Sequence, residues 1–218
     1  MCDKAERPDS PESLHSVHGR HTLEFSRLAN ITDAVFAIAM TLLVFDISVP
    51  DPLPGTLGEV VLIWPDLLAF MLSFAVLANF WWMNHSFVAS LRRIEPGLIG
   101  LTLLILGLVA LLPFATALLS AQGPVSHAVV APYIALVGTI ALVHTCMVVR
   151  AWRAGAMGSQ ITADMFRLEL IISAGWVCVM LIAIGIAFFA PPWGLVALLL
   201  GPLWEWGVER VASRKAAV

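Results

Sequence analysis

Apolar residues in this chain fall in long uninterrupted blocks separated by short polar breaks, with no alternating pattern. Six blocks, at 28–49, 62–88, 97–120, 128–149, 167–190 and 192–209, match or approach the roughly 20 residues a helix needs to cross a bilayer. The breaks carry turn chemistry. Pro50-Asp51-Pro52-Leu53-Pro54-Gly55 closes the first block, Glu95-Pro96-Gly97 divides the second from the third, and Gln122-Gly123-Pro124 follows the third. Pro191-Pro192 splits what would otherwise be one very long final run. The sixth block is short and holds Gly201-Pro202 and Glu205, which suits a tilted or partly interfacial segment. No ten-residue alternation suggests a transmembrane β-barrel. The expected fold is all-α, a six-helix membrane bundle.

Composition agrees. The 218 residues are 60% hydrophobic and 12% charged, and the mean hydropathy is +0.90. Soluble domains carry about 25% charged residues. The distribution of charge is more telling than its sum. With six spans, all twelve Lys and Arg fall on one side: Lys4, Arg7, Arg20 and Arg27; Arg92 and Arg93; Arg150, Arg153 and Arg167; Arg210, Arg214 and Lys215. The opposite loops, 50–61, 121–127 and 190–192, hold none. The positive-inside rule then predicts cytoplasmic termini, and five or seven spans would break the partition. The domains expected are a disordered cytoplasmic tail over 1–24, a six-helix membrane domain over 25–210, and a cytoplasmic tail over 211–218. The first tail is polar, with Pro8 and Pro11, and no cleavable signal peptide is expected in it. Its His15, His18 and His21 recur every three residues but need a helix to converge on a metal, and no metal or cofactor is expected.

Chemistry concentrates at the start of the first block. Arg27 and Asp33 sit in the opening turns of an apolar helix, where charge costs a few kcal/mol, approximately, on insertion scales. They are six residues apart, which is not a pairing distance within a helix, so each needs partners elsewhere. One reading has Arg27 snorkelling to the interface and Asp33 capping or solvated nearby. The other gives both a functional role, and spacing leaves the choice open. Further along, Ile38, Thr41, Leu42 and Phe45 share one helical face.

The run Arg27-x-x-x-Ile31-Thr32-Asp33, continued by the apolar stretch 34–44, resembles the signature of the prokaryotic transmembrane protein 175 family, relatives of the endo-lysosomal potassium channel. The family motif reads Arg-x-x-x-Phe-Ser-Asp. Here Ile31 replaces the aromatic ring and Thr32 keeps the hydroxyl. Asp46 and Pro50, Trp64-Pro65, the run Trp82-Met83-Asn84-His85, and Leu111-Leu112-Pro113-Phe114 extend the likeness over most of the chain. The resemblance implies a homotetramer with the first helices around a pore for permeant K+ ions, leaky to other monovalent cations, in the plasma membrane. It implies an apolar constriction five, nine and twelve residues after the motif aspartate, at Ile38, Leu42 and Phe45, with Thr41 supporting selectivity. Phe45 stands where leucine is usual, and its ring either narrows the pore or rotates out of it. The Thr-Val-Gly-Tyr-Gly filter of ordinary potassium channels is absent from the sequence.

Other polar residues have plainer readings. Asn84 and His85 lie at the depth of Arg27 and Asp33. They either sit solvated beside an aromatic belt of Trp81 and Trp82, or join Arg27, Thr32 and Asp33 in an interhelical network, the arrangement the resemblance favours. His144, Cys146 and Cys178 are expected as core residues, and Trp193, Trp204 and Trp206 as interfacial anchors. Glu205 and Glu209 suit pairing with Arg210 and Arg214, and Ala183-x-x-x-Ala187 allows close helix packing. Asp66 and Glu59 could concentrate cations near the outer mouth. No HExxH, GxSxG or CxxC site occurs, so an enzyme is not expected. The alternative function is a proton-coupled secondary transporter using Asp33 and His85, against which stands the lack of an internal repeat.

Overall fold

The computed structural model describes residues 18–19, 23–47 and 63–216. Their helices are α1 (Leu23–Leu42), α2 (Trp64–Ser90), α3 (Pro96–Gln122), α4 (His127–Arg153), α5 (Ala163–Phe189), α6 (Pro191–Ala197) and α7 (Leu200–Ala216). A 3-10 turn, Leu43–Asp46, continues α1. Two short strands, β1 (His18–Gly19) and β2 (Arg93–Ile94), pair antiparallel, with His18 opposite Ile94.

The helix boundaries follow from the turn residues. Proline opens α2, α3 and α6, where its missing N–H is one of the four a helix start leaves free in any case. Thr162 caps α5 by accepting the Met165 N–H at 3.3 Å. Gly123, at φ 76°, stops α3 in a conformation that favours glycine. Arg150 and Arg153 occupy the last turn of α4, where the helix dipole favours cations.

Among the described residues five helices are long and apolar enough to cross a membrane: Phe25–Asp46, Trp64–Ser90, Pro96–Gln122, His127–Arg153 and Ala163–Phe189. They match the first five apolar blocks and overrun several of them by a turn, because a helix can continue past the bilayer. The sixth block differs. It is folded as α6, seven residues long, and α7, seventeen residues, with a break between Ala197 and Leu200. The expected tail at 211–218 is helical as far as Ala216. Of the expected tail at 1–24, His18–Gly19 form β1 and Leu23 opens α1, while the rest lies outside the described residues. His15, His21, Glu59 and Cys2 lie outside them too.

The core forms where α4 packs between α3 and α5, with α1 laid against α2 and α3. Its centre is polar in one place. Tyr133 of α4 meets Ser73 of α2 at 2.9 Å, and Ser73 meets Thr116 of α3 at 2.8 Å, which reaches the Leu112 carbonyl at 2.9 Å. The Thr116 hydroxyl has one proton, shared between the Ser73 oxygen and the Leu112 carbonyl, and either hydroxyl of the Tyr133–Ser73 pair can donate to the other. Three helices are thereby joined. Sequence reading had not singled out these residues.

Helices α5 and α7 interlock through reciprocal tryptophan-on-glycine contacts. Trp176 of α5 lies on Gly201 of α7, and Trp204 of α7 lies on Gly175 of α5. The Trp204 indole N–H also donates to the Ile171 carbonyl at 3.3 Å. Trp204, expected as an interfacial anchor, is therefore a packing residue. The expected close packing at Ala183 and Ala187 is present, with both buried and Gly194 of α6 seated against them.

One further expectation is corrected. Cys146 and Cys178 are exposed on the bundle surface, since an apolar membrane helix gives no sign of which face meets lipid. Glu205 accepts from the Asn79 side-chain amide of α2 at 3.3 Å and the Arg210 guanidinium lies over the Trp206 ring at 3.7 Å, while the Arg214 side chain lies outside the described residues. His144 is buried as expected, edge-on to Phe87 at 5.7 Å.

Candidate functional site

The helix α1 has two unlike faces. One is closed: Phe36, Ala39 and Leu43 are buried, and Thr32 with them, its hydroxyl donating to the Leu28 carbonyl at 2.8 Å. The other is open. Ile38 is 57% exposed, Leu42 43% and Phe45 81%, and Thr41 is exposed between them. Of the five candidate spans α1 has the smallest buried share. These are the four residues expected to share a face, and in the folded chain they do.

Phe45 owes its position to the 3-10 turn. In such a turn side chains three apart eclipse, so Phe45 stands over Leu42 instead of trailing it by the 60° of a continued α-helix. The Thr41 hydroxyl donates to the Ile38 carbonyl at 2.8 Å, which commits its one proton and leaves its oxygen to act as an acceptor.

Lower on α1, Thr32, Asp33, Asn84 and His85 line one cavity of about 340 Å³ between α1 and α2. The direct link between the helices comes from a residue expected only in the aromatic belt. Trp81 donates its indole N–H to Asp33 Oδ1 at 3.0 Å. The His85 ring packs on Trp81 at 5.3 Å between centroids and on Trp82 at 6.4 Å. Trp81, Asn84 and His85 share one face of α2, being three and four residues apart, so one helix orientation presents all three to α1. Asn84 is 3% exposed, and its Oδ1 has no hydrogen-bond partner among the described residues. Arg27 is exposed and makes no ion pair or hydrogen bond within the described residues. Four of the five expected motif residues thus meet at one cavity, Arg27 stands outside it, and Trp81 supplies the bond.

The site belongs to a pattern shared with known proteins. The family model described as endosomal/lysosomal potassium channel TMEM175 matches residues 27–113, which begins at Arg27 and takes in the cavity and the open face. A potassium channel of Streptomyces collinus is 31% identical over 201 residues, covering 89% of this chain and 98% of the relative. One from Chamaesiphon minutus is 32% identical over 147 residues, covering 65% and 70%. The crystal structure of a lysosomal potassium-selective channel TMEM175 homolog from Chamaesiphon minutus superposes with a TM-score of 0.72 at 25% identity, over 86% of this chain and 99% of that one. A variant of the potassium channel MtTMEM175, bound to a nanobody fusion protein, shares the fold at a TM-score of 0.56 and 19% identity, over 95% and 98%. With its motif residues gathered at one cavity, its first helix open on one face, and a relative matched over nearly its full length, this chain belongs to the TMEM175 family.

Proposed function

We propose that the protein is a potassium-selective channel, leaky to other monovalent cations, in which the open faces of α1 from four copies surround the pore. Ile38, Leu42 and Phe45 form its apolar constriction, and Thr41 supports selectivity. The single observation that carries this reading is the open face of α1: a membrane-length helix that packs by one side and leaves a threonine among three large apolar residues on the other. The relatives named as potassium channels support the choice of ion.

A narrow ring of apolar side chains holds water poorly, so an ion must shed part of its hydration to pass. Potassium is cheaper to dehydrate than sodium, and four Thr41 oxygens beside the neck offset part of that loss. In this reading α6 and α7 together make the sixth span, both termini lie in the cytoplasm, and the channel sits in the cell membrane. All twelve Lys and Arg then share the cytoplasmic side.

Recording from purified protein in bilayers, with potassium on one side and sodium on the other, tests this directly. A reversal potential displaced toward the potassium equilibrium value is expected. Saturable, proton-coupled uptake without channel currents would instead support the transporter reading.

The Asp33–Trp81 bond has a role here as the tie that sets the angle of α1. Asp33→Asn keeps an acceptor but loses the charge, which weakens such a bond by about 1 kcal/mol. Loss of tetramer on a sizing column, or loss of current, is expected; unaltered assembly and conduction would show that the tie is dispensable.

A further inference from the structure

The connections α2–α3 and α4–α5 meet at one end of the bundle and are fastened together. The backbone N–H groups of Arg92 and Arg93 donate to the Ala156 carbonyl at 2.8 and 3.4 Å, and that of Gly158 to the Ser90 carbonyl at 2.9 Å. Leu91 and Met157 form an antiparallel bridge, and the Arg93 guanidinium donates to the Ala154 carbonyl. Beside this platform a groove of about 570 Å³ opens between the start of α3 and the end of α4.

Its rim is charged and its wall is apolar. Glu95, Arg150 and Arg153 form the rim. Arg150 lies across the first turn of α3, where a Cβ on Gly97 would come within 2.1 Å of its guanidinium, and its Nε is 2.7 Å from Glu95 Oε1. Arg153 is exposed and has no ion-pair or hydrogen-bond partner among the described residues. Two arginines thus face one glutamate, with Arg92 and Arg93 on the adjoining platform. Deeper in, Leu101, Thr145 and Val149 make the wall, and the Thr145 hydroxyl is already committed to the Ala141 carbonyl. From Arg153 to Thr145 is eight residues, about 12 Å along the helix.

We propose that this groove holds one anionic phospholipid of the leaflet at this end. Its phosphate lies between Arg150 and Arg153, and the start of an acyl chain runs along Leu101, Thr145 and Val149. A free phosphate ion would use the rim alone; an apolar wall continuing into the membrane span fits a molecule with a charged head and a greasy tail. Basic pockets between membrane helices are suited to such headgroups. The inference needs only that the bundle is embedded in lipid, so it stands apart from the role given to α1.

Cys146 also lines the groove and is exposed, whereas Cys178 is exposed on α5 outside it. The test measures alkylation of each thiol by N-ethylmaleimide, read peptide by peptide, with the full chain in phosphatidylcholine nanodiscs with and without phosphatidylglycerol. Phosphatidylglycerol is expected to slow alkylation at Cys146 and leave Cys178 unchanged. Arg153→Gln, which spares the Arg150–Glu95 pair, is expected to lower the number of phosphatidylglycerol molecules retained in native mass spectrometry about fivefold. Arg153→Lys should restore most of it. Equal protection by both lipids, or equal retention by the Arg153→Gln protein, would overturn the proposal. Protection by inorganic phosphate in phosphatidylcholine nanodiscs would overturn it in favour of a free anion.

Discussion

Ile38→Asn is expected to raise the single-channel conductance by roughly an order of magnitude, for potassium and sodium alike. Ile38 lies on the open face of α1, and it is more than half exposed in the isolated chain. In a ring of four it would contribute only methyl and methylene surface to the neck. Asparagine is of similar reach and offers a donor and an acceptor, so the ring would hold water and an ion would keep more of its hydration. A barrier lower by about 1.4 kcal/mol multiplies the rate about tenfold. Selectivity should fall together with the barrier, because the difference in dehydration between the two ions matters less in a wetter neck. Currents unchanged in a variant that assembles normally would remove Ile38 from the constriction.

Gly201→Ala is expected to destabilise the bundle by about 1–3 kcal/mol, the range for forcing an extra carbon into a packed core. A Cβ at Gly201 would lie 2.3, 2.4 and 2.6 Å from three carbons of the Trp176 ring. That ring cannot retreat, since it is fully buried and its other neighbour is Phe80, with centroids 5.2 Å apart. Relief requires α7 to move off α5, which would also lift Trp204 from Gly175. Thermal unfolding in detergent, followed by tryptophan fluorescence, should show a midpoint lower by roughly 2–12 °C. Gly207→Ala, on the same helix with nothing within 4 Å of its Cβ, provides the control. There the gain in helix propensity should leave the midpoint unchanged or slightly higher. Equal midpoints for the two variants would show that the Trp176 contact is loose.

The two predictions differ in how much of their basis could be read from the chain. The face of α1 was legible. Ile38, Thr41, Leu42 and Phe45 are spaced for one side of a helix, and the structure leaves that side open. The register of Phe45 was not, because a change from α to 3-10 winding depends on how Leu43 is buried against neighbouring helices. At the motif, Asp33 was rightly singled out as needing a partner on another helix. Its partner, Trp81, was read as an interfacial anchor because tryptophan is common at that depth whether or not its N–H is used. In helix α7, Glu205 reaches beyond its own helix through a bond to Asn79, far away in sequence, which no local spacing announces.

By itself the sequence determined the all-helical architecture, the number of long spans to within one and their boundaries to within about a turn. Each of these follows from a quantity additive along the chain: apolar length or turn residues. Tertiary structure alone decided which face of the helices after α1 is buried, the chain of hydroxyls through Tyr133, Ser73 and Thr116, the exposed position of Cys146 and Cys178, and the interlocked tryptophans and glycines of α5 and α7. The physical reason lies in the solvent. In water a polar face marks the outside of a helix, whereas in a bilayer the lipid side, the partner side and the core are all apolar. Hydropathy then no longer separates them, and only the packed neighbours do.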